Sequence, residues 1–391
     1  MQEVIKQISE RLVSYGHEVT VATRYDESRR QSAHNGVQIA PFEISGNLVL
    51  GIKGTHDEIK RYQKFLIESN FDVIVNFAAQ QWASDLSLDI LDSIPAKKIF
   101  VPTGFSGLFL KEYADYFKNM VVWMKRYDMN VFLSHTYQDI KFAQKNNINK
   151  IAVISNGASE SEFLKPVVFD VRTNLGLTED TFLILHVGSH TGCKGHDEVL
   201  DIFLKAKLKN SALLIIGNFF DSGLQKNYFK EKLVYLLKLL RIKKIRCPER
   251  CHIIAQNNNS DRIFIKSFNR EQTIAAFQQA DLFIFPSNIE CSPIVLFEAM
   301  ASKTPFFVSD VGNAAEIISQ TDAGVLLPTK YAKNGYTYAD VKKSAELIHT
   351  LCADKDKLIQ MAENGYQAWQ KHFTWEKITK QYETLYLSLI N

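Results

Sequence analysis

Short apolar runs alternate with amphipathic stretches along nearly the whole chain. This rhythm predicts buried parallel strands with helices packed on the faces of their sheets. Residues 3–15 carry Val4, Ile5, Ile8, Leu12 and Val13 on one side at helical spacing, and Gly16 stops the helix. A strand is predicted at 18–23, and others at 37–44, 71–77, 98–102, 130–134 and 151–155, with helices between them. Asn156-Gly157 makes a turn, and the irregular stretch 158–177 reads as a hinge. The alternation then restarts. Strands are predicted at 182–187, 213–217, 262–267, 282–285 and 305–308, and helices at 271–280, 293–302, 339–353 and 355–372. A last helix runs over 375–389.

Two such runs on either side of a hinge predict an α/β protein of two Rossmann-like domains, 1–160 and 161–374, with 375–391 packing back on the first. The length of 391 residues suits that division. An apolar share of 46% and a charged share of 23% are ordinary for a globular protein. The net charge of +3 is too slight to argue for nucleic acid. The cysteines at 193, 247, 251, 291 and 352 are odd in number and show no framework spacing. No secretory signal opens the chain, and no apolar run approaches membrane-spanning length. The expected setting is therefore reducing and cytoplasmic, with contact at the inner face of a membrane left open.

Candidate chemistry gathers in 280–314. The strand 282–285 ends at Pro286, and a polar loop then carries Glu290 and Ser292. Pro293 suits the first position of a helix, where its missing N–H costs nothing. Backbone N–H groups near Ser292, Pro293 and Ile294 (Pro293 itself has none) face beyond the carboxyl end of the strand, a place suited to phosphate. Glu290 precedes the helix and Glu298 lies two turns deeper. Upstream, the strand 182–187 enters Gly188-Ser189-His190-Thr191-Gly192-Cys193-Lys194-Gly195. A glycine-bearing loop between strand and helix can hold anionic groups, and Lys194 supplies a mobile positive charge.

The strand, the Pro-Ser, the Glu-Ala-Met and the Thr-Pro, taken with Glu290 and Glu298, resemble the Glu-x7-Glu signature of retaining, metal-independent glycosyltransferases with the two-domain GT-B fold (family 4, group 1). The upstream loop resembles that family's Gly-Arg-x4-Lys-Gly. Lys194 and Gly195 match it, while Ser189 stands where the arginine would be and leaves His190 or Thr191 as substitute donors. Gly312-Asn313 and Glu316 resemble its Asp-Val-Gly-Gly-x-x-Glu turn, and 373–376 its closing helix. Members normally place a strand and a Gly-Gly loop before the first helix, so the N-terminal first strand is expected to be missing here.

The resemblance implies transfer of a sugar from a nucleotide diphosphate sugar, UDP-linked by default, to a glycan or lipid-linked acceptor in cell-surface polysaccharide or glycolipid synthesis. It implies no metal or other cofactor. In that scheme Lys194 and the 292–294 N–H groups hold the diphosphate together with the loop from Gly188 to Thr191. Glu290 faces the donor sugar, and Glu298 bonds the ribose hydroxyls. Base choice falls to backbone contacts near Phe268. Where members carry a histidine after a first-domain strand, this chain has Val101-Pro102-Thr103-Gly104, which makes Thr103 and Gly104 the acceptor-side residues. The glutamates do not suit a retaining hydrolase dyad: eight residues at helical rise span about 12 Å, against about 5–5.5 Å for such dyads.

A catalytically silent nucleotide-sugar-binding partner of another transferase is the alternative, motivated by Ser189 and the missing strand; a GT-B epimerase or phosphorylase fits the signature less well. The basic, leucine-bearing stretch 226–250 reads as a solvated helix face, or less readily as a site for acidic lipid heads. Cys247 and Cys251 have a spacing that suits zinc, but no second Cys/His pair with matching spacing is evident, and they read as structural thiols. Asp354-Lys355-Asp356 reads as a helix cap, and His135 as a partly buried histidine.

Overall fold

A computed structural model describes residues 1–29, 31–218, 246–256 and 262–391. The expectation for the basic stretch 226–250 lies outside the described residues except for its last five positions.

The chain opens with the helix Gln2–Ser14, which ends as expected at Gly16, held at φ +96°. The first lobe then lays down two separate sheets. β1 (Thr20–Arg24) runs parallel to β3 (Val37–Phe42), with β2 (Ala33–His34) antiparallel on the far side of β3. A small hairpin, β4 (Ser45–Asn47) and β5 (Gly51–Lys53), follows. β6 (Val73–Phe77), β7 (Lys97–Val101), β8 (Met129–Phe132) and β9 (Ile151–Val153) form a parallel sheet in sequence order. Among the described residues β1 and β6 each pair on one side only, so the lobe has two half-sheets in place of one continuous sheet. The opening helix covers their junction, its Val4, Ile8 and Leu12 sharing an apolar cluster with Val19 and with Val73, Val75 and Phe77 of β6.

The second lobe is a single six-stranded parallel sheet. Its strands are β10 (Phe182–Val187), β11 (Ser211–Ile216), β12 (Ile263–Lys266), β13 (Leu282–Phe285), β14 (Phe306–Val308) and β15 (Gly324–Leu326). They lie in the order β12-β11-β10-β13-β14-β15. β11 and β13 are buried at every position, as strands covered by helices on both faces must be. The order reverses between β10 and β13. Connections leaving these two neighbours depart toward opposite faces and leave a crevice at their carboxyl ends. An antiparallel pair, β16 (Thr329–Tyr331) and β17 (Thr337–Ala339), lies beside the sheet and displaces the start of the predicted 339–353 helix to Val341. Asp354 caps the next helix by accepting from Lys357 N at 3.0 Å.

The expected hinge is more ordered than its sequence suggests, with short helices at Glu160–Phe163 and Val171–Leu175. The chain also crosses back there. Ala158 N donates to the Phe373 carbonyl (3.0 Å), and Trp375 N (3.3 Å) and Trp369 Nε1 (3.1 Å) both donate to the Ala158 carbonyl. A Cβ on Gly157 would lie 2.4 Å from that Phe373 carbonyl, so only glycine permits the approach. The helix predicted to 372 changes at Ala368 into a π-turn, Trp369–Phe373, which aims the final helix, Trp375–Ile390, onto the first lobe.

Trp375 is 1% exposed and packs in one cluster with Val4, Ile8 and Tyr382. Trp375→Ala is expected to cost about 3–5 kcal/mol, read as a lower urea midpoint for the first lobe. A shift within error would mean that the final helix adds nothing to that core.

Candidate functional site

Two loops meet where the strand order reverses, one after β10 and one after β13. Asn288 N donates to the Cys193 carbonyl at 2.8 Å, and Ser287 Oγ donates to the same oxygen at 3.1 Å. Gly195 stands in the left-handed region at φ +75°, and a Cβ there would fall 2.1 Å from the Pro286 carbonyl. Any other residue would force the loops apart. Their closeness brings Lys194 Nζ within 2.6 Å of Glu290 Oε1, which also accepts from Ser287 Oγ at 2.8 Å. The lysine side chain is 31% exposed and the glutamate 13%, which places the pair at the mouth of the crevice.

The remaining donor-side expectations divide. Gly188 and Ser189 are half-buried and Thr191 is exposed, all on the same loop. His190 is buried, its Nδ1 lying 3.3 Å from Cys247 Sγ. Pro293 is corrected by one position. It is the N-cap, at ψ 117°, and the helix runs Ile294–Ala301, because the extended capping residue stands half outside the helix. Glu298 lies four residues inside this helix. Ser292 is buried, its Oγ accepting from Asn313 Nδ2 (3.1 Å) and its carbonyl from Asn156 Nδ2 (2.8 Å). Phe268 is half-buried with its ring edge-on to Phe169.

Glu298 is paired through one oxygen with a residue that sequence reasoning missed. Arg270 Nη1 reaches its Oε1 at 2.6 Å, and Arg270 Nη2 reaches Glu162 Oε2 at 2.6 Å. Burial pushes the Glu298 carboxyl up, and Arg270 pulls against that shift. Asn269 and Gln272 form a capping box that fixes Arg270 as the first residue of its helix, Arg270–Gln279, but that local pattern does not name its partner.

The first lobe supplies the facing wall. Thr103 (φ +56°), Gly104 (φ +106°) and Phe105 (φ +51°) turn left-handed in succession after β7, and Ala78 and Gln80 do the same after β6. Non-glycine residues seldom sit there, and such strain tends to collect at functional sites. A Cβ on Gly104 would stand 2.7 Å from Cys291 Cβ, so this turn lies against the residue that follows Glu290. The acceptor-side and donor-side expectations are thus brought together. Behind them Asp139 is wholly buried. Burial pushes its carboxyl up to about 6, against hydrogen bonds from the Ile140 and Gly104 backbone. Glu316 ties the lobes, accepting from Ser134 Oγ (2.6 Å) and His135 N (3.0 Å), while Asn313 Nδ2 donates to the Leu133 carbonyl (3.2 Å). His135, expected to be partly buried, is exposed. A separate cavity of 490 Å³ between the lobes, lined by His135, Glu316, Lys371 and Lys377 among others, includes neither Lys194 nor Glu290. Among the described residues no helix is long and apolar enough to cross a membrane.

The family model described as Glycosyl transferases group 1 matches residues 169–368. The N-acetyl-alpha-D-glucosaminyl L-malate synthase of Bacillus anthracis is 22% identical over 244 residues, covering 61% of this chain and 54% of that protein. The chain thus spans about half the length of such curated relatives. Among solved structures, sucrose-phosphate synthase from Thermosynechococcus elongatus superposes with a TM-score of 0.72 at 20% identity, covering 98% of this chain and 92% of that one. HepE of Anabaena in complex with UDP-glucose gives 0.67 at 16% identity, covering 98% and 95%. These likenesses establish the fold as the two-lobed GT-B arrangement.

Asp139 yields a prediction in pH. Its carboxyl is raised from 3.8 to about 6, so the folded state holds the proton more tightly than the unfolded one. Its contribution to stability is full below the unfolded value and is lost as pH rises through about 6. Asp139→Asn should flatten that loss and be at least as stable as the parent at neutral pH, in urea melts across a pH series. A variant with an unchanged slope would contradict the assignment.

Proposed function

The chain belongs to the glycosyl transferases group 1 family, and from that premise we propose that it transfers a sugar from a nucleotide diphosphate sugar to a glycan or lipid-linked acceptor. The observation that carries this reading is the Lys194–Glu290 pair at the crevice between β10 and β13. Breaking the bond between the anomeric carbon and a phosphate oxygen leaves negative charge on the diphosphate and positive charge on the sugar. A site for this reaction needs a cation and N–H donors at the phosphates, and a carboxylate beside the sugar.

Lys194 meets the first need, together with the start of the helix Ile294–Ala301. Glu290 meets the second. Without donor its Oε1 is held by Lys194 and Ser287; when the diphosphate takes Lys194, that oxygen becomes available to the sugar hydroxyls and the cationic centre. The ribose hydroxyls of the nucleotide are assigned to Glu298, beside Arg270. UDP is the proposed nucleotide, supported by the similarity to HepE, which was solved with UDP-glucose. The turn from Thr103 to Phe105 presents the acceptor from the first lobe.

Transfer with retention follows from the Glu-x7-Glu resemblance, with attack on the face that the diphosphate leaves and proton transfer to the departing phosphate. The two signature carboxylates do not form a hydrolase dyad, because Glu298 is paired with Arg270 at depth while Glu290 faces Lys194. No metal is required at the diphosphate in this scheme. The proposed setting is the cytoplasm, at the inner membrane face where lipid-linked acceptors are presented.

Two substitutions test the reading. Lys194→Ala should lower turnover with UDP-sugars by about 10²–10³-fold, the cost of one lost charge-stabilising donor, and should weaken the melting-temperature rise on adding UDP. Glu290→Gln should keep that rise and lose turnover. If no nucleotide sugar from a broad panel raises the melting temperature of the unaltered chain, the donor site is wrongly placed. Retained nucleotide binding with no donor hydrolysis or transfer would favour a silent partner subunit, the reading that Ser189 in place of an arginine keeps in view.

A further inference from the structure

Behind the Lys194 loop lies a cluster that the transfer chemistry does not use. One ring nitrogen each of His190 and His196 and the Sγ of Cys247 lie within 4.8 Å of one another. The two histidines are 4% and 1% exposed, and their ring centroids are 4.2 Å apart. Cys251, fully buried, follows Cys247 by four residues, in the first turn of the helix Glu249–Gln256. The spacing argument made from sequence failed here because the partners of Cys-x3-Cys come from fifty or so residues upstream, as His-x5-His on the loop after β10. The fold brings them together where no run of sequence could.

His196 gives the second, independent pointer. Its Nε2 donates to the Gly188 carbonyl at 3.0 Å, which leaves Nδ1 as a bare lone pair. That Nδ1 is buried and has no hydrogen-bond partner among the described residues. A buried acceptor left unpaired is costly. A histidine that hands one ring N–H to a backbone carbonyl and aims the other nitrogen into a cluster of ligands has the arrangement found around protein-bound metals.

We propose that His190, His196, Cys247 and Cys251 form a structural zinc site that clamps the Lys194 loop to the helix Glu249–Gln256. Four protein ligands of two types leave no position open for water or substrate, as structural rather than catalytic zinc requires. Two thiolates and two neutral imidazoles also cancel the charge of the ion, which suits a buried site. Tetrahedral zinc with these ligands has edges of about 3.3–3.8 Å. The His190–Cys247 edge is already 3.3 Å, and the ligand atoms of His190, His196 and Cys247 all lie within 4.8 Å of one another. The surroundings hold the ligands in place. Cys247 N donates to Asp197 Oδ2 at 3.0 Å, and Arg250 bridges to Asp201 at 2.7 Å, fastening the cysteine segment to the helix His196–Ala206. Since His190 and His196 bracket Lys194, the ion fixes the stretch that carries it. The metal assignment stands without the donor reading; only the consequence for Lys194 rests on it.

The test uses the full chain, reduced and stripped with chelator, and titrated with Co²⁺ and then Zn²⁺. The expected result is one equivalent of cobalt, with a thiolate-to-cobalt charge-transfer band and tetrahedral ligand-field bands that zinc abolishes. Cys247→Ser and His196→Gln should each weaken binding at least tenfold. Cys251→Ser should bind with a weaker charge-transfer band. Zinc should raise the melting temperature of the parent and leave Cys247→Ser unmoved. The parent titration decides the matter even if a variant fails to fold: a reduced chain that shows no charge-transfer band, or cobalt bound equally by Cys247→Ser, overturns the proposal. Loss of UDP binding in a chain that still takes up one cobalt would count against the donor site alone.

Discussion

The reversal of strand order between β10 and β13 is the constraint on which the rest of this structure depends. Parallel strands hydrogen-bonded side by side must end at the same edge of the sheet. When their connections leave toward opposite faces, the loops part and leave a crevice between them. Here the crevice is narrowed by contacts that tolerate little change. The Cys193 carbonyl takes two hydrogen bonds from 287–288, and the missing Cβ of Gly195 admits the Pro286 carbonyl. Lys194 and Glu290 meet because of that backbone packing, and their attraction is a result of the fold more than a cause of it.

The same economy governs the junction of the lobes. Ser292 is the residue from which the helix Ile294–Ala301 is launched, and both of its polar oxygens are used to position it. One accepts from Asn156 at the end of the first lobe, the other from Asn313 after β14. Asn313 in turn donates to Leu133, and Glu316 takes the N–H of His135. The backbone turn beyond β7 then rests on Cys291, with Gly104 at φ +106° allowing the contact. Each bond contributes about 1 kcal/mol net, but stranding a buried partner costs about 1–3 kcal/mol. A network of this sort fixes geometry more than it adds stability.

How much of this the sequence disclosed depends on where the information sits. Five of the six strands of the second lobe were legible because runs such as Leu282–Phe285 and Phe182–Val187 are apolar (His186 apart) and stop at Pro286 and Gly188; the short Gly324–Leu326 was missed. The meeting of Lys194 and Glu290 was legible too, since two strand–loop–helix units of one Rossmann-like half place their loops at one edge. Arg270 with Glu298 and His190 with Cys247 were not legible. These pairs are set by which helices pack side by side, and nothing in a local pattern encodes it. The left-handed turns at Thr103 and Phe105 were hidden for another reason: they occur at residues that ordinarily avoid them, and tertiary context overrides that preference. The one-residue error at Pro293 is of a smaller kind, because φ near −65° suits the N-cap as well as the first helical position.

The two glutamates of the signature differ in what it costs to part them from their cations. Glu298 is 4% exposed and locked to Arg270, which is itself held by Glu162. The Arg270 side chain is 40% exposed, so water reaches this pair from one side, but the Glu298 side chain is only 5% exposed and its carboxylate would be stranded by loss of the arginine. Lys194 and Glu290 stand at the crevice mouth with the lysine side chain about one-third exposed, where water screens the pair and the gain from holding it is closer to about 1 kcal/mol. The first pair is therefore part of the scaffold, and the second can be exchanged. An incoming diphosphate can take Lys194 from Glu290 at little cost, whereas parting Arg270 from Glu298 leaves a buried carboxylate without its cation. Eight residues apart on one loop and helix, the two glutamates differ in their own burial and in the second carboxylate, Glu162, that holds the arginine in place.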